Sequence, residues 1–158
     1  MPDSDVRTFL ERHLQGIFDY DLEHYKATTA EDLGLYEWYI VPQRIDGIPF
    51  HEFLMREAAL ANAPALTGTG LMDNSARPGQ ERPRVRFDLA NYREQRYGET
   101  AIASYTLLVS TSTGAGVTVT SYNESRVMVR FADGWKVVHV HKSPAYKSPL
   151  EAPRQPGG

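Results

Sequence analysis

The chain has 158 residues, a formal net charge of -3, 41% hydrophobic and 23% charged residues, and no cysteine. That is the profile of one ordinary globular domain; it argues against a surface built to neutralise nucleic-acid phosphates and excludes disulfides, thiolate catalysis and cysteine-ligated metals. No apolar run approaches the roughly 20 residues of a membrane span, and Met1-Pro2-Asp3-Ser4-Asp5 lacks the basic-then-apolar pattern of a secretory signal, so a cytoplasmic protein with no membrane or nucleic-acid partner is expected.

Val6, Phe9, Leu10, His13, Leu14, Ile17 and Phe18 recur at i, i+3, i+4, i+7 and i+8, which predicts a helix from an N-cap at Ser4 to about Tyr25. A second, short helical segment around 27–33 is compatible with the pattern. The aromatic and β-branched run Leu35 to Val41, stopped by Pro42, predicts a strand. Asp46-Gly47 makes a turn, and Pro49 opens a helix carrying Phe50, Phe53, Leu54, Glu57 and Ala58. Strands are then expected near 67–75, 84–95, 101–111, 117–131 and 135–142, separated by glycine- and proline-containing turns. The proline- and glycine-rich segment 144–158 reads as a flexible tail on a single domain of residues 1–143. Helices followed by long antiparallel strands make an α+β chain, with amino-terminal helices packed on a strongly curved, mostly antiparallel sheet.

The last two strands are the most informative. A two-residue turn at Asp133-Gly134 would set Arg126 opposite His141 and Met128 opposite His139, with Glu124 on the same face. The other face would hold Val127, Val129, Phe131, Val138 and Val140. An acid, a guanidinium and two imidazoles on one side predict a polar pocket wall. The valine-rich side would then be covered by a second copy.

Asp46-Gly47, Phe50-His51-Glu52-Phe53, Tyr97-Gly98-Glu99, Glu124-Ser125-Arg126-Val127, Asp133-Gly134-Trp135-Lys136 and Val138-His139-Val140-His141-Lys142-Ser143 resemble the association (hub) domain of calcium/calmodulin-dependent protein kinase II. That domain belongs to the nuclear transport factor 2-like (NTF2-like) superfamily, together with ketosteroid isomerase and the SnoaL-type polyketide cyclases. The likeness runs from about Asp5 to Pro144. It implies a cone-shaped α+β fold, dimers or rings of dimers, and a deep pocket containing the arginine that Arg126 matches. It implies neither a cofactor nor calmodulin binding by this segment. Where the hub has a further pocket arginine this chain has Leu107, so a less cationic pocket is expected.

Several residues are candidates for chemistry. Arg126, oriented by Glu124, would bind a carboxylate or enolate oxygen, or the two form a structural ion pair. His139 and His141 would move protons, or form half of a metal site completed by Glu37 or His51, or be structural or ligand-contacting imidazoles without either role; the same His-x-His occurs in the resembled family, which is not metal-dependent. Glu37, between Tyr36 and Trp38, would be a base with its pKa raised by burial, or an edge carboxylate in water. Tyr20 or Tyr25 would supply an oxyanion donor by resemblance to ketosteroid isomerase. Tyr122 and Trp38, with Tyr39, Phe53, Tyr105 and Trp135, would line an aromatic cavity, or simply pack the core.

Three functions stay open on the sequence. One is an oligomeric protein that binds a small carboxylate or carbonyl compound, with or without isomerase, cyclase or dehydratase activity that needs no cofactor. Another is a non-catalytic, hub-like assembly and ligand-sensing module. The last is a metal-dependent enzyme using His139 and His141.

Overall fold

The computed structural model describes residues 4–60 and 83–145. Three helices, α1 (Asp5–Phe18), α2 (Leu22–Ala27) and α3 (Pro49–Leu60), accompany six strands: β1 (Thr29–Glu37), β2 (Ile45–Asp46), β3 (Arg84–Tyr97), β4 (Thr100–Thr113), β5 (Gly116–Phe131) and β6 (Gly134–Pro144). The strands form one sheet in the order β2-β1-β6-β5-β4-β3, with β1 parallel to β6 and all other pairs antiparallel. This is the expected α+β arrangement. The strand expected at 67–75 and the tail beyond 145 lie outside the described residues. Pro144 is the last residue of β6. No helix among the described residues is long and apolar enough to cross a membrane.

The single helix expected to reach Tyr25 is two helices. Ser4 caps α1 as predicted, its hydroxyl accepting from the Arg7 amide at 3.0 Å. The chain then reverses at Asp19-Tyr20-Asp21, where Tyr20 takes a left-handed φ of 57° and the Asp21 amide returns to the Gly16 carbonyl. Asp21 caps α2 by accepting from the His24 amide. Gly16 permits the fold-back, because a Cβ there would stand 2.6 Å from the His24 ring. Apolar periodicity continued across the break, and the local capping chemistry of Asp21 overrode it.

Residues 29–33 form strand rather than the compatible helix, and β1 ends at Glu37, four residues before the expected Val41. The Ile40 and Val41 amides turn back onto the Glu37 carbonyl. Pairing with both β2 and β6 outweighs the poor strand propensity of Ala30-Glu31-Asp32.

The core lies between the helices and the inner face of the sheet. Val6, Leu10, Leu14 and Ile17 of α1 and Leu54 and Met55 of α3 cover Leu33, Leu35, Ala101, Ala103, Leu107, Val109, Met128, Val137 and Val140. Register breaks in the β1–β6, β3–β4 and β5–β6 pairs bend the sheet.

The β5–β6 break has the largest effect. The hairpin turn is Ala132-Asp133, with Phe131 opposite Gly134, and not Asp133-Gly134. This offset moves each pairing by two residues and so preserves the faces. Val138 is different: Met128 faces Val137 and Val127 faces His139, leaving Val138 as an unpaired extra residue. Beyond it Arg126 faces Val140 and Glu124 faces Lys142. His139 and His141, expected inside, are therefore on the outer face, while Val140, expected outside, is buried.

Gly134 opens β6 at a φ of 122°, a region where a side chain costs on the order of 1–3 kcal/mol. Gly134→Ala is expected to lower the urea midpoint accordingly. An unchanged midpoint would show that the turn is not held as described.

Candidate functional site

Under the helices, four charged side chains converge from three strands. Glu37 ends β1, Glu124 and Arg126 lie two apart on the inner face of β5, and Lys142 comes from β6; all are buried. Arg126 is fully engaged. Its Nε donates to the Tyr105 hydroxyl at 2.8 Å and to Glu124 at 3.2 Å, its Nη2 pairs with Glu124 at 3.2 Å, and its Nη1 reaches His13 Nε2 at 3.1 Å. The Tyr105 hydroxyl donates to the same Glu124 oxygen at 2.7 Å. Lys142 pairs directly with Glu37, lies 4.0 Å from Glu124, and donates to the Tyr39 hydroxyl at 3.2 Å. Tyr39 in turn donates to Glu37 at 3.1 Å.

The two buried histidines are neutral. Burial drives His13 well below the ordinary imidazole value, and the Arg126 charge adds to it. The Thr28 hydroxyl donates to the His24 carbonyl at 2.7 Å, so it accepts from His13 Nδ1–H at 2.8 Å. That leaves the Nε2 lone pair for Arg126. His51, contacting the Tyr25 hydroxyl at 2.6 Å, is lowered by burial to about 4, with Glu37 opposing. A lone pair on His51 Nε2 would face the Glu37 carboxylate, so the favoured tautomer carries its proton there and accepts from Tyr25 at Nδ1.

Glu37 does not behave as the raised-pKa base expected from its aromatic neighbours. Burial alone would raise it, but the Lys142 ammonium, then His51 and the hydrogen bonds from Lys142 and Tyr39, hold it at about 2. Burial likewise disfavours the charged Lys142, yet Glu37 and Glu124 raise it above the ordinary lysine value. Two carboxylates are answered by two cations.

The enclosed space beside these groups is about 10 Å³, lined by His13, Thr29, Glu37, His51, Arg126 and Lys142 among others. That is room for about one water molecule. Glu37 Oε2 and His51 Nε2 stand 3.7 Å apart at its wall, too far for a hydrogen bond, and neither has another partner among the described residues. Thr29 Oγ1 is also unpartnered there.

Of the other candidates, Tyr122 is buried on the inner face, its hydroxyl without a partner among the described residues. Trp38 is 44% exposed at the rim, its ring centroid 6.5 Å from that of Tyr122. Tyr20 sits in the α1–α2 reversal and does not line the hollow. Phe53 is exposed, and Trp135 donates to Asp5 at the start of α1. His139 and His141 are separated by the sheet from Glu37 and His51, so the four do not converge. No group of three or more metal-ligating side chains occurs among the described residues. His13, which continues the apolar stripe of α1, is a buried residue with both ring nitrogens engaged; Lys142 escaped the sequence reading, because its inward direction is visible only once Val138 is read as a bulge.

The sequence profile of the calcium/calmodulin-dependent protein kinase II (CaMKII) association domain matches residues 3–146. No curated protein matches the chain significantly. Among solved structures, the S. rosetta CaMKII hub is 22% identical with a TM-score of 0.67, covering 92% of this chain and 100% of that one. The association domain of C. elegans CaMKII is 22% identical with a TM-score of 0.67, covering 88% and 92%. A putative ketosteroid isomerase from Parabacteroides distasonis is 15% identical with a TM-score of 0.63, covering 94% and 92%.

Two predictions follow from the buried charges. Lys142→Met leaves Glu37 buried without its cation and is expected to cost about 3–5 kcal/mol, whereas Glu37→Gln/Lys142→Met recovers most of it; equal losses in single and double variants by urea denaturation would dissolve the pair. The pH dependence has a definite sign. His51, lowered to about 4, is neutral when folded but protonates when unfolded below its ordinary value of 6.5, so stability falls on acidification through that window. Glu37, lowered from 4.5 to about 2, extends the loss as pH falls through its own range. Stability that stays level between about pH 6.5 and 4 would contradict the buried neutral His51.

Proposed function

Because the chain belongs to the CaMKII association-domain family, we propose that it is a hub-like assembly module whose outer sheet face packs against a second copy, and whose buried charges shape the interior rather than turn over a substrate. The observation that carries this is the pattern on that face. Along β5, Val117 and Val119, exposed by 66% and 58%, precede Ser121, Asn123 and Ser125, which are followed by Val127, Val129 and the 45% exposed Phe131. On β4, Ile102 lies beside Val127, and Ser104 and Thr106 lie beside Ser125 and Asn123. A two-fold axis lying in the face, along or across the polar band, stacks polar on polar and apolar on apolar. That self-complementarity is what an isologous contact requires, and exposed apolar bands of this kind mark association surfaces.

Catalysis on a carbonyl compound draws less support. The would-be base is held ionised by Lys142, and each Arg126 nitrogen already has a partner. Sensing of a small molecule has one observation in its favour, the unpartnered Glu37 Oε2 and His51 Nε2. A ligand there would be small and polar and would donate to the carboxylate.

Light scattering after size exclusion tests the assembly. The wild type is expected at a multiple of the 17.8 kDa chain mass. Val129→Arg is expected to run as a monomer with an unchanged far-ultraviolet spectrum. A wild-type monomer at micromolar concentration would contradict the reading.

A further inference from the structure

The bulge at Val138 places on the proposed contact face two imidazoles that the interior does not use. Through the strand pairings, Tyr36, His141, Ser125, Ser104 and Arg93 form one row across five strands. The next row is Gly34, His139, Val127, Ile102 and Gln95. His141 therefore belongs to the polar band, and His139 stands where the valine band begins. The Tyr36 ring lies 5.2 Å from His141 and 6.4 Å from His139. Gly34 leaves room for the His139 ring, because a Cβ there would stand 3.2 Å from its Nδ1.

The charged groups around the pair carry both signs, and the acids among them already have cations: on β6 itself Lys136 is paired with Asp133 at 2.8 Å. Arg44 of the β1–β2 connection reaches over Gly34 beside His139, and Asp46, opposite Gly34, is already paired with Arg44 at 2.5 Å. The Tyr36 hydroxyl bearer lies between the rings on β1. His141 borders an outer groove of about 550 Å³ whose lining carries the charged or titratable Arg93, Glu124 and Tyr105 beside hydroxyl and amide side chains, and Glu124 is already paired with Arg126 on the inner side. Val127 and Ser125 of β5 flank the imidazoles from the other side.

We infer that His139 and His141 make the assembly acid-labile: as neutral rings they pack into the contact between copies, and once protonated they separate the copies while each keeps its fold. The inference rests on the self-association reading. An isologous contact repeats every group, so two imidazoles from each copy charge together. A cation taken from water into a largely apolar contact without a counter-charge of its own is strongly disfavoured; Asp46 is engaged by Arg44 and Glu124 by Arg126, while Arg93 adds charge of the same sign. Imidazoles are the side chains that change charge between pH 5 and 8.

Sedimentation velocity of the full chain at about pH 7.5 and about pH 5.5, at fixed ionic strength, tests it with the wild type and His139→Gln/His141→Gln. The wild type is expected to be assembled at the higher pH and to show a dissociation constant raised about tenfold or more at the lower. Its far-ultraviolet spectrum is expected to stay folded at both. The double variant retains His13 and His51, and is expected to remain assembled at both pH values. The single exposed-site variant His141→Gln, which leaves the His139 packing against Gly34 intact, is expected to lose part of the response. Equal assembly of the wild type at both pH values overturns the inference alone, as does a double variant that dissociates in step with the wild type. A wild type already monomeric at the higher pH overturns the self-association reading, and the inference with it.

Discussion

Beyond Val138 every side chain of β6 changes face, and that single unpaired residue determines what the protein encloses and what it presents. The hairpin up to Met128 and Val137 would, if continued regularly, have turned His139 and His141 inward and Lys142 outward. The bulge reverses them. Lys142 then meets Glu37 at the end of β1 and approaches Glu124 on β5, which ties the parallel and antiparallel parts of the sheet together under the helices. The imidazoles are left outside among valines and hydroxyls.

The interior that results is closed by its own charges. Buried ion pairs contribute little net stability over apolar packing, but leaving one partner alone is severe. The set Glu37, Lys142, Glu124 and Arg126 is therefore better understood as fixing one arrangement of strands than as holding the fold together. His13 completes it as a neutral acceptor for Arg126, anchored by Thr28 at the start of β1. Burial of the same kind keeps His51 neutral against Tyr25. The apolar Leu107 is buried on the same face of β4 as Tyr105 and adds no charge to this set. The remaining hollow is the size of one water molecule, which is why the outer face rather than the interior carries the functional reading.

Much of this architecture was legible in the residues. The caps at Ser4 and Pro49, the alternation along β4 and β5, and the inward parity of Glu124 and Arg126 each follow from local rules that the structure obeys. What was not legible has physical causes. The chain breaks after Phe18 because the Asp21 cap of α2 and the close contact at Gly16 outweigh an apolar stripe that continues past them. Residues 29–33 become strand because they lie between pairings of β1 at Thr29 and from Gly34 onward, a tertiary effect that composition does not carry. A bulge adds one unpaired residue and inverts every later side chain, so a correct parity for Arg126 coexisted with a reversed one for His139 and His141. Glu37 stood open between a buried base and a solvated edge carboxylate; it is buried, and the direction of its pKa depends on Lys142, whose place the sequence did not show.

The most direct test of the account is the accessibility of the Lys142 ammonium. Brief acylation of the native chain followed by mass spectrometry of its peptides is expected to modify the half-exposed Lys26 and to leave Lys142 untouched until the protein is unfolded. Acylation of Lys142 at the rate of Lys26 in the folded protein would place it outside, and both the enclosed charge network and the outward imidazoles would be wrong.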